Sequence, residues 1–410
     1  SLSFSAPPQQ EEESGLTTGL ELRAALASGG VLLERHDGEA SFAASGERLE
    51  LVAGGGASLV GPEGSFARVS GTTKGGEGFG RMIAREIYFV EDRVLAHGAT
   101  MSYEGSLKGG VAIKTVSADW IDLSESRADL TGGVKIEGET ENAGGWTLRG
   151  KNARLEEEGV TAWGGFEWTG EEDVRATGST LRATAEQIDI EGDPAQLRFA
   201  GLEWEANNIQ LDRARMLLEA GKGSVRSVEE DSIKLTYEEI RSIEGQDASI
   251  LGLRSPRFTR GETVARAEWA LLWADRNQNS PAKRVGGDAP NLFGRVEAQG
   301  FSSALDEIYI EGRVEVWEAG VRRAEVDAIY LDLVDGKGWL KGARLTVPAR
   351  VGGETTDLAV DAEWLRHAAD GSLTANSARI STCDHVDPHY FIRTKDLRLK
   401  PSGEVGVRWD

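Results

Sequence analysis

Residues 306–345 read DEIYIEGRVEVWEAGVRRAEVDAIYLDLVDGKGWLKGARL. Apolar and charged side chains alternate here, with Ile308, Ile310, Val314 and Val316 on one face and glutamates and an arginine between them. A period of two is the pattern of a β-strand that buries one face. Glycines and Asp-Gly or Glu-Gly pairs interrupt the runs, which is typical of short strands joined by turns.

The same texture extends outward from this stretch, and it repeats. A glycine opens an alternating run at Gly30 and Gly312, and a small residue followed by a polar one opens the next run, as at Val326 and Asp327. A unit of about three strands cannot bury its apolar face alone, so neighbouring units must stack to enclose a core. The sequence therefore predicts an all-β repeat protein. Even 211–220 (LDRARMLLEA) is predicted as strand, because it lacks helix caps.

The repeats divide the chain into four predicted segments. Residues 1–18 are polar and contain prolines, so a mobile leader is expected there. N-terminal repeats follow over 19–275, and C-terminal repeats occupy 293–410. Between them, 276–292 are polar and rich in Gly, Pro and Asn, which predicts a loop or linker.

Composition limits the partners. The 410 residues carry 46 basic and 68 acidic side chains, a net charge of −22 at pH 7. Such a charge repels phosphate backbones, so no nucleic-acid partner is expected. The single cysteine, Cys383, excludes an internal disulfide framework.

A search for catalytic motifs is negative. The sequence has no G-x-S-x-G elbow, phosphate-binding loop, dinucleotide fingerprint or H-E-x-x-H motif. We therefore predict no enzyme activity, no catalytic residue and no cofactor. Residues 383–389 (CDHVDPH) combine a thiol, two imidazoles and two carboxylates, but their spacing matches no tight zinc motif and Pro388 imposes a turn. A polar surface turn, and no metal site, is the prediction.

Tryptophan is unusually frequent, with 11 residues against 6 tyrosines. A large apolar ring with one donor suits the mouth of a lipid groove, and it equally suits ordinary core packing. The tryptophans do not recur at one position of the sequence repeat, which counts against a polysaccharide-binding row on an exposed face.

Two segments carry a resemblance to a known family. Residues 306–345 resemble the repeat of the OstA/LptA/LptD lipopolysaccharide-transport family, in which a G-x-V strand precedes a strand that begins with a small and an acidic residue. Residues 378–401 (ARISTCDHVDPHYFIRTKDLRLKP) resemble the end of the periplasmic domain of the LptD type. The features that match are a Ser-Thr-Cys turn, a proline and aromatic residues, followed by a strand in which apolar residues alternate.

The resemblance implies an elongated, folded-over β-jelly roll (a β-taco) that shields lipid A acyl chains in an apolar groove and passes lipopolysaccharide through the periplasm to the outer membrane. The apolar side of the alternating strands is expected to line this groove. The candidate lining residues are Ile308, Ile310, Val314, Val316, Val326, Ile329, Leu331 and Leu333.

Partners are also implied by the resemblance. Members of the family join head to tail by adding strands across open sheet edges, and the matching cysteine pairs with one in an outer-membrane barrel. Cys383 is thus a disulfide candidate. The chain is either the soluble part of a larger protein or a stand-alone relative. A bridge for phospholipid and a purely structural β-solenoid of the cell envelope remain alternatives.

Overall fold

A computed structural model of the chain describes residues 2–4, 24–37, 40–52, 56–63, 65–72, 79–90, 93–107, 111–124, 127–140, 144–170, 174–199, 202–212, 217–227, 234–244, 248–275, 306–351, 354–383 and 388–408. Within these ranges every regular secondary-structure element is a β-strand, which confirms the all-β prediction. It follows that none of the described residues belongs to a helix that could cross a membrane.

The strands are, in chain order, β1 (Leu2–Phe4), β2 (Ala24–Asp37), β3 (Ala40–Val52), β4 (Gly56–Val60), β5 (Ala67–Thr72), β6 (Phe79–Ala84), β7 (Glu86–Val90), β8 (Arg93–Leu107), β9 (Val111–Leu123), β10 (Arg127–Thr140), β11 (Gly144–Glu156), β12 (Gly159–Thr169), β13 (Arg175–Thr184), β14 (Gln187–Phe199), β15 (Leu202–Asp212), β16 (Leu217–Ala220), β17 (Gly223–Ser227), β18 (Lys234–Tyr237), β19 (Glu239–Glu244), β20 (Ala248–Arg254), β21 (Arg257–Arg260), β22 (Thr263–Arg266), β23 (Trp269–Asp275), β24 (Glu307–Glu318), β25 (Val321–Asp332), β26 (Lys337–Val351), β27 (Glu354–His367), β28 (Leu373–Ala375), β29 (Ala378–Ser381), β30 (Ile392–Thr394), β31 (Asp396–Leu399) and β32 (Val405–Arg408).

The chain forms two compact units, residues 1–195 and 196–410. In both units the described pairings are antiparallel and link strands that are close in sequence, such as β10 with β9 and β11, or β25 with β24 and β26. This order is the one that stacked repeats predict.

Many long strands bend near their middle. In β10, Gly132 and Gly133 have φ of +76° and +53°, and the register with both neighbouring strands slips there. In β24, Gly312 has φ of +80°, and the register with β25 slips between Glu311 and Val314. Glycine adopts this conformation without the steric cost of a Cβ atom, and such bulges bend a strand.

The bends divide each unit into two leaves. Elsewhere two short strands replace one long strand: β3 pairs with β4 at one end and β5 at the other, and β24 pairs with β23 and β22 in the same way. We call the leaf of unit 1 that contains β4 and the leaf of unit 2 that contains β23 the first leaves. The leaves that contain β5 and β22 are the second leaves.

One row of apolar residues runs across each leaf from strand to strand. In the first leaf of unit 1 it is Leu49, Leu59, Ile87, Ala96, Ile121, Leu130, Ala153, Ala162 and Leu181. In the second leaf of unit 1 it is Ala44, Val69, Met82, Met101, Val116, Ile136 and Leu148. In the first leaf of unit 2 it is Ile209, Ala220, Ile240, Leu253, Ala270, Ile310, Ile329, Leu340 and Leu365. In the second leaf of unit 2 it is Val225, Leu235, Phe258, Ala265, Val316, Ala324, Leu345, Val360 and Ile380.

The two leaves of a unit face each other. Nearly every residue of these rows is buried, and a buried sheet face must be covered by another layer. Since the described residues contain no helix, we infer that the second half of the same bent strands supplies that layer. Inward side chains then form the core, and the outward positions between them are polar, as the alternation predicts.

Two domain predictions fall largely outside the described residues. The predicted linker at 276–292 lies in the undescribed segment 276–305, so it stays a prediction. Of the predicted leader 1–18, residues 2–4 form β1 and pair with β2, and the remainder is not described. The strand prediction for 211–220 is confirmed where it is described, because 211–212 belong to β15 and 217–220 form β16.

Candidate functional site

The eight candidate lining residues lie on both leaves of unit 2. Ile310 pairs with Ile329, and Ile308 pairs with Leu331, on the first leaf. Val314 pairs with Val326 next to the bend, where the second leaf begins, and Val316 follows on the same leaf. Leu333 follows β25, where its amide donates to the carbonyl oxygen of Asp306 at 2.7 Å.

Burial of these residues falls with distance from the bend. Val314 and Ile329 have no solvent-accessible surface, and Val326, Val316 and Ile310 are buried. Ile308, Leu331 and Leu333, at the tips of their strands, are only half-buried. The tips of the two leaves of a unit meet along one margin. We call this margin the seam. The candidate residues thus form an apolar band that runs from a closed interior to the seam.

The interior of unit 2 is closed beside these residues, since side chains without accessible surface leave no space for a water molecule next to them. Acyl chains would therefore have to part the leaves. The alternating pattern predicted which of these side chains face inward. Beside Val314 and Ile329 the two leaves are in close contact and leave no open space.

A backbone contact joins the two leaves across the seam of unit 2. Arg350, near the second-leaf tip of β26, donates its amide to the carbonyl oxygen of Gly403 at 2.8 Å. Gly403 lies in the turn between β31 and β32 of the first leaf. Beside this contact, the hydrogen bond and charge of Lys400 lower the pKa of Glu404, and the charge of Arg350 adds to that effect. Between the described residues at this end of the seam, this hydrogen bond and a small group of charges join the two leaves.

The hydroxyl of Tyr237 is a buried polar atom in the interior of unit 2. The hydroxyl of Tyr237 makes no hydrogen bond, and burial raises the pKa of that phenol. Tyr237 follows the inward-facing Leu235 by two residues, so it shares the interior face. An unpaired buried hydroxyl costs about 1–3 kcal/mol, which makes this position a weak point of the core.

Cys383 lies in a turn after β29. Its Sγ is 3.3 Å from Nδ1 of His389, its amide donates to the hydroxyl of Ser381 at 3.1 Å, and the thiol is half-buried. The rest of the predicted polar turn, 384–387, lies outside the described residues. Among the residues that are described, no group of three or more metal-ligating side chains comes together.

The outer faces are polar, with cross-strand ion pairs such as Arg154 with Asp129 at 2.6 Å and Arg266 with Glu315 at 2.8 Å. Exposed pairs of this kind add little stability, but they keep the face hydrated.

Sequence reasoning missed four exposed tryptophans, two in each unit, that share one structural position. Trp120, Trp163, Trp269 and Trp364 all occupy the first outward position beside a bend. The statement that tryptophans do not recur at one repeat position is therefore wrong for these four. A signal was present, because three of them follow an alanine and an acidic residue: Ala118-Asp119-Trp120, Ala267-Glu268-Trp269 and Ala362-Glu363-Trp364.

Comparison with known proteins adds no relative: no protein-family model matches the chain, and neither does any curated protein.

Proposed function

We propose that this protein is a non-catalytic periplasmic bridge for lipopolysaccharide, which holds lipid A acyl chains between the two leaves and passes them toward the outer membrane. The observation that carries the proposal is the paired, facing apolar rows, which become more exposed toward the seam. The resemblance of residues 306–345 and 378–401 to the OstA/LptA/LptD family supports the choice of lipid.

Acyl chains can replace the contacts that parting the leaves would remove. Each methylene that leaves water contributes roughly 0.8 kcal/mol, so a chain of about a dozen methylenes gains on the order of 10 kcal/mol. The leaves lose similar contacts when they separate and regain them against the lipid. Sugars and phosphates would stay outside the seam, where the surface is polar. No step requires a covalent change, so upstream flux would drive movement.

The proposed partners follow from the resemblance. Other proteins of the family would add strands to an unpaired sheet edge through backbone hydrogen bonds. Cys383 would form a disulfide with a cysteine of an outer-membrane barrel by thiol–disulfide exchange, in which a disulfide oxidant of the periplasm takes up the two electrons and becomes a dithiol. Cys383 is half-buried, with its Sγ beside His389.

Photo-crosslinking tests the lipid path. A benzophenone amino acid is placed at Ile310 and, separately, at Leu331. Glu325 is the control, because it adjoins the lining residue Val326 but points outward, away from the exposed tryptophans. The variants are irradiated with lipopolysaccharide or with phosphatidylethanolamine. We expect crosslinks to lipopolysaccharide from positions 310 and 331 and none from position 325.

Other outcomes distinguish the alternatives. Crosslinks to phosphatidylethanolamine alone would indicate a phospholipid bridge. Equal labelling at positions 310, 331 and 325 would place the lipid on the surface and contradict the proposed path.

A structural role in the cell envelope is the second candidate, and the closed interior is the observation that favours it. Side chains such as Val314 and Ile329 have no accessible surface, as expected of a filled β-solenoid. Absence of crosslinks to either lipid from correctly folded variants would select this function.

A further inference from the structure

The four exposed tryptophans share one structural position. Each adjoins an inward residue with at most 1% exposure, namely Ile121, Ala162, Ala270 and Leu365. By alternation each ring points away from the core. The rings are 44%, 37%, 52% and 47% exposed, for Trp120, Trp163, Trp269 and Trp364 respectively. Burial of core surface therefore does not explain them.

Within each unit the two tryptophans lie on a row of paired residues, most of them polar. In unit 1 the row runs His97, Trp120, Thr131, Asn152 and Trp163, and His97 stacks on Trp120 with ring centroids 4.6 Å apart. Trp120 and Trp163 are three strand spacings apart, about 14 Å at roughly 4.8 Å per spacing.

In unit 2 the row runs Trp269, Glu311, Ala328, Lys341 and Trp364. The two tryptophans are four strand spacings apart, about 19 Å. Lys341 places its ammonium 5.9 Å from the ring centroid of Trp364.

Further aromatic residues widen this row in unit 2. Trp339 lies 5.3 Å from Trp364, 5.9 Å from Tyr330 and 6.1 Å from Tyr309, measured between ring centroids. The two phenols donate to carboxylates: Tyr309 to Glu311 at 2.7 Å and Tyr330 to Glu307 at 3.0 Å. These bonds fix the rings and leave other carboxylate lone pairs directed at solvent.

We propose that this outer row binds oligosaccharides by stacking pyranose rings on the tryptophans. A pyranose has an apolar C–H face, which packs on an aromatic ring, and a rim of hydroxyls, which pairs with carboxylates, amides and ammonium groups. The row offers both in alternation: rings at Trp269 and Trp364, with Glu311 and Lys341 between them. This surface is separate from the interior and needs no acyl chain, so it goes beyond the proposed lipid path.

Two other occupants fit the row less well. Hot spots of protein interfaces cluster in one desolvated patch, whereas here the most exposed rings of each unit, such as Trp269 and Trp364, stand several strands apart. Tryptophan also anchors proteins at membrane surfaces, but Asp119, Glu268 and Glu363 lie next to these rings in sequence and the whole chain has a net charge of −22.

Binding of neutral hexaoses tests the proposal. Cellohexaose, maltohexaose and chitohexaose are titrated at millimolar concentration into the full chain, followed by tryptophan fluorescence and calorimetry. The variants are Trp120→Ala with Trp163→Ala, and Trp269→Ala with Trp364→Ala. The control is Val321→Ala, an equally exposed apolar residue (53%) outside the row. Circular dichroism checks that every variant is folded.

We expect at least one hexaose to bind, and a double tryptophan variant to weaken its binding about tenfold, since two stacking rings contribute on the order of 1.4 kcal/mol or more. Val321→Ala should bind like the unchanged chain. Absence of binding to all three sugars, or binding of unchanged affinity and unchanged stoichiometry in both double variants, would overturn the proposal. Tryptophan-dependent binding to phosphatidylcholine vesicles without sugar binding would instead assign the row to a membrane surface.

Discussion

At the residue scale, the alternation of side chains predicts which residues face the core, but it does not predict how they are used. Val314, Val316 and Ile329 are buried as the period of two requires. The tryptophan row was missed because bends insert extra residues into some strands. Equivalent positions are thus unevenly spaced in sequence, although they pair directly across strands.

The histidine at the tip of β27 gives a prediction on pH. Burial lowers the pKa of His367, against the opposing effects of the Gly336 carbonyl, 3.0 Å from Nδ1, and of the Asp370 charge. As the pH falls, the imidazole of His367 is therefore protonated first in the unfolded chain, at about pH 6.5. The stability linked to His367 is complete above that pH and is lost as pH falls through it toward the lower folded pKa.

Thermal unfolding of the unchanged chain and of His367→Gln, followed by circular dichroism between about pH 8 and 5, checks this prediction. We expect the unfolding temperature of the unchanged chain to fall more steeply with decreasing pH than that of the variant. Parallel curves would show that His367 is not kept neutral by the fold.

At the scale of strands, periodicity and glycine spacing predict the element type along the described chain, including β15 and β16, where a helix was the alternative. They do not predict pairing across long separations. The contact between Arg350 and Gly403 joins residues 53 positions apart (403 minus 350), and no local pattern marks it because register is set by the whole sheet.

That contact gives a prediction on closure of the seam. Arg350→Pro removes the amide that donates to Gly403, whereas Arg350→Ala keeps it and removes only the charge. We expect the proline variant to lose about 1 kcal/mol of local stability and to expose residues 400–404 to faster amide exchange. Hydrogen exchange measured by mass spectrometry checks this. Equal protection of that turn in the two variants would mean that other contacts hold the seam.

At the scale of the whole molecule, the sequence predicts an acidic, all-β chain with stacked repeats, and the structure has this character in each of its two units. Cargo is not encoded in that architecture, because an apolar interior accepts any chain of methylenes. The choice of lipopolysaccharide depends on the resemblance and on the seam, and the rival filled core depends on the closed packing beside Val314 and Ile329.

Native mass spectrometry decides between these two accounts most directly. The purified chain is incubated with lipopolysaccharide or with the same lipopolysaccharide after complete removal of its acyl chains. If the leaves part to hold lipid A, the intact lipid binds at a fixed stoichiometry and much more tightly than the deacylated form, whose sugars could reach only the outer tryptophan rows. If neither form binds, or if both bind equally, the interior does not hold acyl chains and the proposed bridge is contradicted.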